Sequence, residues 1–162
     1  MKNKNIIITT IKTKIGNFLL EINCGYICKF LPTKKKLKKN TPEAKNIDKY
    51  IQNYFSGKKS VVTLKVKPSG TKFQRKVWKE IIKIKYGELK TYHDISVALS
   101  SSPIAVGNAC SKNPCLIIIP CHRVIKKNRT YGNYALGISL KKFLIDLERR
   151  SFWLFIIVKE RQ

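Results

Sequence analysis

The sequence predicts an α/β protein made of two parts. A small N-terminal α/β domain, with an antiparallel sheet and a helix, precedes a mainly helical C-terminal domain that carries a helix-turn-helix. Two observations favour this arrangement. Short β-branched runs between glycines fill the first 31 residues, and apolar residues recur at helical spacing from residue 71 onwards. The stretch 65–70 is the best linker, and we place the domains at residues 1–66 and 67–162.

The N-terminal domain begins with strand signals. Apolar runs such as Ile6-Ile7-Ile8 alternate with Gly16 and Gly25, which is typical of a small antiparallel meander. We expect this meander to span residues 5–31.

Five helices follow from capping motifs, prolines and the helical spacing of apolar residues. They run from Thr41 through Tyr54, from Thr71 to Lys85, from Thr91 onwards, from Pro103 to about Asn113, and along the apolar stripe Leu140, Phe143, Leu144 and Leu147. The third and fourth are joined by a tight turn, and on a basic chain this pair suggests a helix-turn-helix. Any two packed antiparallel helices would give the same pattern.

The charge of the chain indicates a polyanionic partner. Its 34 Lys and Arg against nine Asp and Glu give a formal net charge of +25, and nucleic acid is the obvious counter-charge. Codon usage is the alternative explanation, because only six of these cations are Arg and because Ile and Asn are also abundant.

The longest run without a polar residue, 152–158, falls well short of the ~20 apolar residues that a membrane span needs. We assign no role to this run, and we expect no signal peptide, no membrane association and a cytoplasmic protein.

An odd count of five cysteines with two histidines predicts neither a disulfide framework nor a metal site, and we expect no cofactor. Metal binding by Cys24 and Cys28 is the weaker alternative to idle thiols.

A thiol lies beside an imidazole in Pro120-Cys121-His122-Arg123-Val124, directly after the apolar run 116–119, which we expect to be a buried strand. The thiolate is the nucleophilic form of cysteine, and a nearby base or cation supplies it at neutral pH. Taken alone, the pair is also compatible with a buried thiol beside a structural histidine, or with a cysteine hydrolase.

Further motifs surround this pair. They are Gly70-Thr71-x-Phe73-Gln74-x-x-Val77-Trp78, Tyr86-Gly87-Glu88-x-x-Thr91-Tyr92, Val106-Gly107-Asn108-Ala109, Asn113-Pro114 and Gly132-Asn133-Tyr134-x-x-Gly137-x-x-x-Lys141-x-x-Leu144-x-x-Leu147-Glu148. With them, the chain from residue 70 to 148 resembles the methylated-DNA–protein-cysteine methyltransferases, also called 6-O-alkylguanine-DNA alkyltransferases. The resemblance implies a monomeric DNA-repair enzyme that transfers an alkyl group from 6-O-alkylguanine in double-stranded DNA to its own cysteine, once per chain.

The resemblance also implies roles for individual residues. Cys121 would be the alkyl acceptor, activated by Glu148 through His122 and a water. Tyr92 would donate a hydrogen bond to the guanine ring as the oxygen departs.

Contacts to substrate or DNA are implied for a second set of residues, which are Asn113, Arg123, Val124, Tyr134 and Ala135. Tyr134 would line the base pocket, with core packing as the alternative role. The carbonyls of Cys121 and Val124 would accept from the exocyclic amine. Asn113 would tie the recognition helix to the segment that carries the cysteine.

The chain departs from the family at the start of the recognition helix. Family members usually carry an arginine there, which fills the stack that the extruded base leaves. This chain has Ile104 nearest to that place, in a segment between Pro103 and Gly107 that is two to three residues shorter. Ile104 is therefore either an apolar wedge or a sign of impaired extrusion.

The alternative function of the protein is a DNA-binding module that recognises alkylguanine and transfers little or none of its alkyl group.

Overall fold

The computed structural model describes residues 6–38, 41–58 and 64–160, and for 152–160 it describes the backbone alone. The chain divides into two compact units, Met1–Ser69 and Gly70–Gln162. The domain boundary placed between residues 66 and 67 stays a prediction.

The first unit contains a three-stranded antiparallel sheet in the order β1-β2-β3. Its strands are β1 Ile6–Thr13, β2 Gly16–Asn23 and β3 Tyr26–Pro32. Buried and exposed residues alternate along β1 and β2, as expected for a sheet with one face on a core. The rings of Phe18 and Phe30 stack in that core with centroids 4.8 Å apart. The predicted meander is confirmed.

Helix α1, Pro42–Phe55, completes this unit. The hydroxyl of Thr41 accepts a hydrogen bond from the backbone N–H of Ala44, and proline occupies the first turn. The helix buries Ile47 and Ile51 on one face. It therefore begins and ends within a residue of the sequence-based prediction.

The second unit is mainly helical. Its elements are α2 Lys72–Ile82, β4 Lys90–Thr91, α3 Tyr92–Ala98, α4 Pro103–Ser111, a 3-10 turn Cys121–Arg123, β5 Val124–Ile125 and α5 Ile138–Glu160. The capping box at Thr71 and Gln74 forms as predicted, with both hydrogen bonds present. Helix α2 ends at Ile82, three residues before the predicted Lys85.

Helices α3 and α4 are joined by the short turn 99–102 and pack together, as the helix-turn-helix prediction requires. Ser102 caps α4 by accepting from the backbone N–H of Ala105. The buried indole of Trp78 donates to the carbonyl of Ala109 at 2.9 Å, which ties α2 to α4. The pair is thus held on a third helix.

The strand predicted at residues 116–119 is wrong. These residues form a tight turn, in which Ile117 has a φ of 71° and Leu116 bridges Ile119. They are buried as expected. Burial explains the apolar run equally well in a turn, because periodicity cannot separate a short buried strand from another short buried segment.

Helix α5 presents a different face to the core from the one predicted. Leu144 is fully buried, but Phe143 is 42% exposed, whereas Lys141 and Glu148 are buried. The side chains of the apolar run 152–158 lie outside the described residues, and its backbone continues α5. Within the described part of the chain, no helix is long and apolar enough to cross a membrane.

Candidate active site

The thiol of Cys121 lies at the start of the 3-10 turn and is only 3% exposed. It contributes to the wall of a cavity of about 510 Å³ in the second unit. Other lining residues include Tyr92, Ile104, Cys110, Lys126, Tyr134 and Ala135. A small chemical group that enters this cavity can therefore reach the sulfur, whereas bulk solvent has almost no access to it.

Asn113 holds the segment that carries the thiol. Its side-chain amide donates to the Ile119 carbonyl at 2.9 Å and to Cys121 Sγ at 3.0 Å, and its oxygen accepts from the backbone N–H of Cys115 at 2.9 Å. One side chain thus spans the turn and contacts the sulfur. Within the same turn, Ile117 has a left-handed backbone, a conformation that a β-branched residue rarely adopts.

His122 and Glu148 form a buried pair. His122 Nε2 lies 2.7 Å from Glu148 Oε1, and both side chains are almost fully buried. The carboxylate also accepts from the backbone N–H of Gly87 at 2.9 Å. The segment before β4 and helix α5 therefore meet at this carboxylate, beside the 3-10 turn.

Arg123 completes this buried cluster. Its guanidinium donates to Glu148 Oε2 from Nε at 2.9 Å and to Oε1 from Nη2 at 3.1 Å, which is the strong bidentate geometry. It also donates to the Ile84 carbonyl at 2.7 Å and lies over the ring of Tyr86. The carboxylate thus has a full set of partners for a charge taken out of water.

The charges of this cluster are well defined. Burial alone would raise the pKa of Glu148, but the hydrogen bond and charge of His122, together with the charge of Arg123, lower that pKa to about 2. Burial lowers the pKa of His122 below its usual value, against the opposing effect of Glu148. At neutral pH the histidine is therefore neutral and the glutamate ionised.

The thiol itself rests in its neutral form. Burial raises the pKa of Cys121, and the hydrogen bond from Asn113 and the charge of Lys141 partly offset that rise. A resting thiol of this kind needs a base at the moment of reaction.

Tyr92 lines the cavity and contacts the side chain of Lys141. Lys141 is fully buried, and its ammonium donates to the Val124 carbonyl at 2.6 Å and to the Tyr92 hydroxyl at 3.3 Å. Burial lowers the pKa of Lys141 to about 8, against the effect of Cys121 and Cys110. Burial raises the pKa of Tyr92 above its usual value, so the phenol keeps its proton.

Gly132 permits the close packing of this wall. Its φ is +66°, and a Cβ there would lie 3.2 Å from the ring of Tyr92 and 3.4 Å from Cγ of Lys126. A larger residue would be strained and would push the tyrosine ring away.

Apart from Arg123, the residues selected from the sequence fall into three groups. Five of them line the cavity, namely Tyr92, Ile104, Cys121, Tyr134 and Ala135. His122 and Glu148 lie behind it, where Tyr134 packs edge-on against the ring of His122 with centroids 6.2 Å apart. Asn113 and Val124 contact the site through Cys121 and Lys141, respectively.

Arg123 differs from expectation. The sequence assigned it to substrate or DNA contacts, but it is 8% exposed and its guanidinium nitrogens donate to Glu148 and Ile84. Its charge is matched inside the protein, so we reassign Arg123 to holding the carboxylate.

Sequence analysis gave no role to two residues of the site. Lys141 belongs to the last of the sequence motifs, and its signal is a lysine on the same helix face as Leu144 and Glu148. Cys110 lines the cavity on α4 and carried no signal beyond its place among apolar residues.

Comparisons with known proteins bear on this geometry. Residues 72–150 match the family described as 6-O-methylguanine DNA methyltransferase, DNA binding domain. The chain is 36% identical over 148 residues to a methylated-DNA–protein-cysteine methyltransferase of Methanosarcina acetivorans, covering 85% of this chain and 94% of that one. It is 44% identical over 104 residues to a probable methylated-DNA–protein-cysteine methyltransferase of Acanthamoeba polyphaga mimivirus, covering 62% of this chain and 69% of that one.

A solved structure extends the similarity to the fold. The chain resembles the Mycobacterium tuberculosis protein OGT, crystallised in complex with DNA, with a TM-score of 0.79 and 29% sequence identity. The match covers 89% of this chain and 93% of that one.

Proposed function

Since the chain belongs to the methylated-DNA–protein-cysteine methyltransferase family, we propose that it repairs DNA by transferring an alkyl group from 6-O-alkylguanine to Cys121. The observation that carries this proposal is the buried thiol at the cavity wall, adjacent in sequence to a histidine that Glu148 holds at 2.7 Å. The curated relatives carry the name of the same activity.

The reaction is one displacement. The sulfur of Cys121 forms a bond to the alkyl carbon while the bond between that carbon and the guanine oxygen breaks. The electron pair of the broken bond stays on the guanine, which takes up a proton, and the thiol proton leaves through His122. The products are unmodified guanine and a thioether, which has no easy hydrolytic exit, so each chain repairs one lesion.

The buried pair supports the role of His122 as a base. A neutral imidazole whose Nε2–H donates to Glu148 carries its lone pair on Nδ1. That nitrogen can take the thiol proton through a water, in the order that the family resemblance implies. Glu148 keeps this tautomer and stabilises the imidazolium that forms, as carboxylates do in catalytic triads.

Tyr92 supports the departure of the guanine. Negative charge moves into the base as the carbon–oxygen bond breaks, and a fixed donor stabilises it. The raised pKa of Tyr92 keeps its proton in place for donation. Lys141 donates to the phenol oxygen, and the phenol itself donates to the Asn133 carbonyl across 3.4 Å, a long hydrogen bond that it can exchange for one to an acceptor on the base.

The base must leave the duplex to reach this site. A thiol that is 3% exposed cannot attack a base inside the stack, so the target nucleotide is extruded at a cost of a few kcal/mol. Ile104 is 77% exposed at the start of α4 and lies on the cavity wall. It is placed to enter the vacated stack as an apolar wedge.

We expect the extruded base to contact several of the predicted residues. Tyr134 and Ala135 line the cavity beside the sulfur. The Val124 carbonyl accepts from Lys141 and has a second lone pair for the exocyclic amine of guanine. Asn113 contacts the sulfur that would attack the alkyl group of the base.

We also propose that the protein acts as a monomer on double-stranded DNA in the cytoplasm. The described residues of one chain supply the thiol, the histidine–glutamate pair and the tyrosine, so that a second copy is not required. The five cysteines are free thiols, as expected in a reducing compartment.

Intact-mass measurement after incubation with a duplex that carries 6-O-methylguanine tests the proposal. The chain should gain one methyl group, and Cys121→Ser should gain none while it still binds the duplex. Cys28→Ser, a thiol of β3 in the first unit, is the matched control and should react like the unmodified protein.

Other outcomes would exclude transfer to Cys121. Methyl uptake by Cys121→Ser would place the acceptor elsewhere, and removal of many methyl groups per chain would indicate turnover. Tight binding of the methylated duplex without any mass gain would identify a recognition module instead.

A further inference from the structure

The helix-turn-helix carries almost no positive charge of its own. Residues 91–111 contain no Lys or Arg, and Asp94 adds a negative charge at the start of α3. Phosphate contacts supply a large share of the affinity of DNA-binding proteins, and Lys and Arg make those that release counterions. In this chain of net charge +25, such contacts would come from cations outside the helix-turn-helix.

A basic turn follows β5 in the same unit. It consists of Lys126, Lys127, Asn128, Arg129 and Thr130, and its three cations are exposed. The ion pairs among the described residues involve other side chains. None of these ion pairs therefore neutralises a cation of the basic turn.

Hydrogen bonds within the basic turn hold its shape. The backbone N–H of Lys126 donates to the Thr130 carbonyl at 2.9 Å, and that of Arg129 donates to the Lys126 carbonyl at 3.0 Å. The side chain of Asn128 accepts from the backbone N–H and the hydroxyl of Thr130. The backbone that carries the cations is therefore ordered before any ligand arrives, which lowers the entropic cost of binding.

The sheet register places the basic turn beside the active site. Strands β4 and β5 are parallel, with Thr91 opposite Ile125. The residues that follow these two in the chain are Tyr92 and Lys126, so both leave the strand pair at the same end. Of the described residues that line the cavity, Lys126 is the only Lys or Arg.

We propose that the basic turn 126–130 binds the DNA phosphates next to the extruded nucleotide, with Lys126 on the phosphate nearest the cavity and Lys127 and Arg129 on its neighbours. The proposal rests on the proposed function, since a nucleotide whose base occupies the cavity must lay its sugar–phosphate across the rim. Lysine and arginine in an ordered turn suit the phosphodiester backbone, whereas base recognition needs groups that reach the base edges.

The salt dependence of DNA binding tests this proposal. The probe is an undamaged DNA duplex, so that the measurement does not depend on methyl transfer. Each neutralised phosphate contributes about −0.9 to the slope of log affinity against log salt. The triple variant K126A/K127A/R129A should therefore make the slope shallower by about 2 to 3.

Two further variants control for net charge and for folding. K36A/K45A/K49A removes three exposed cations from the first unit and should leave the slope within about 0.5 of the original value. The charge-conserving K126R/K127R/R129K should retain the full slope.

Equal slope changes in both alanine triples would show that net charge alone drives binding, and an unchanged slope in K126A/K127A/R129A would show that the basic turn does not contact phosphates. Either result overturns the proposal. A failure of methyl transfer to Cys121, read separately by intact mass, would instead contradict the proposed function.

Discussion

The buried ammonium group of Lys141 donates to the hydroxyl oxygen of Tyr92 across 3.3 Å. The same ammonium donates to the Val124 carbonyl at 2.6 Å and lies over the tyrosine ring, 5.4 Å from its centroid. A lysine that is fully buried is rare unless it is paired. We therefore expect Lys141 to position Tyr92 for the reaction.

Lys141→Met tests this coupling, because it keeps most of the volume and removes the donor. General acid catalysis is worth 10²-fold or more, so Tyr92→Phe should slow single-turnover methyl transfer by about a hundredfold. Lys141→Met should slow it by about tenfold on its own, and by less than about twofold in the Tyr92→Phe background. Independent, multiplicative losses in the double variant would show that Lys141 does not act through Tyr92.

The pH dependence offers a second readout. Burial lowers the pKa of Lys141 to about 8, so that its ammonium is mostly present at neutral pH and is lost as the pH rises through 8. The rate ratio between the unmodified protein and Lys141→Met should therefore fall towards one above pH 8. A ratio that stays constant from pH 7 to pH 9.5 would indicate that the ammonium charge is not involved.

Glu148→Gln should destabilise the fold. It leaves the buried guanidinium of Arg123 without its counter-charge, and breaking a buried pair in this way costs about 3–5 kcal/mol of unfolding free energy. Urea denaturation at pH 7 measures the loss. Glu88→Gln, which changes an exposed carboxylate, is the control and should stay within about 0.5 kcal/mol.

The same pair predicts a stability change with pH. The pKa of Glu148 is lowered in the folded chain to about 2, so its stabilising effect is present above its usual value of 4.5 and is lost as the pH falls towards 2. The stability difference between the unmodified protein and Glu148→Gln should therefore shrink between pH 4.5 and pH 2. A constant difference over this range would contradict the assigned ion pair.

Asn113→Asp separates the two functions of the Asn113 side chain. The carboxylate can still accept from the backbone N–H of Cys115, but it no longer donates to the Ile119 carbonyl or to Cys121 Sγ. Because the hydrogen bond to Sγ favours the thiolate, its loss should raise the pKa of Cys121 further. The measurement is the pH profile of Cys121 alkylation by iodoacetamide, quantified on the tryptic peptide, with Asn46→Asp of α1 as the control. An unchanged profile would remove Asn113 from thiol activation.

With Ile104 as the proposed wedge, we expect extrusion of the base from a duplex to depend on apolar contact. An arginine in the vacated stack would offset more of the unstacking cost, which is a few kcal/mol. Methyl transfer from duplex DNA should therefore be slower than transfer from the same lesion in single-stranded DNA, by on the order of tenfold. Ile104→Arg should narrow this gap, and Ile104→Ser should widen it. Equal rates on both substrates would show that another residue extrudes the base.

The sequence alone determined the elements whose signals are local. The capping box at Thr71 and Gln74 and the N-cap at Thr41 act within a single turn of helix, so a few neighbouring residues specify them. The Cys121-His122 pair could likewise be recognised from the sequence, because the proposed nucleophile and its proposed base are adjacent in the chain.

Only the tertiary structure decided how distant residues meet. Glu148 contacts Gly87 and His122, which are 61 and 26 residues away in the sequence. The guanidinium of Arg123 donates to the same carboxylate and is therefore buried as its counter-ion. Lys141 is buried because α5 packs it against Val124 and Tyr92, which its own neighbours in sequence do not indicate. Whether a charged side chain is paired inside the protein or stays available to a ligand depends on which partners the fold brings within a few ångströms. No local sequence pattern contains that information.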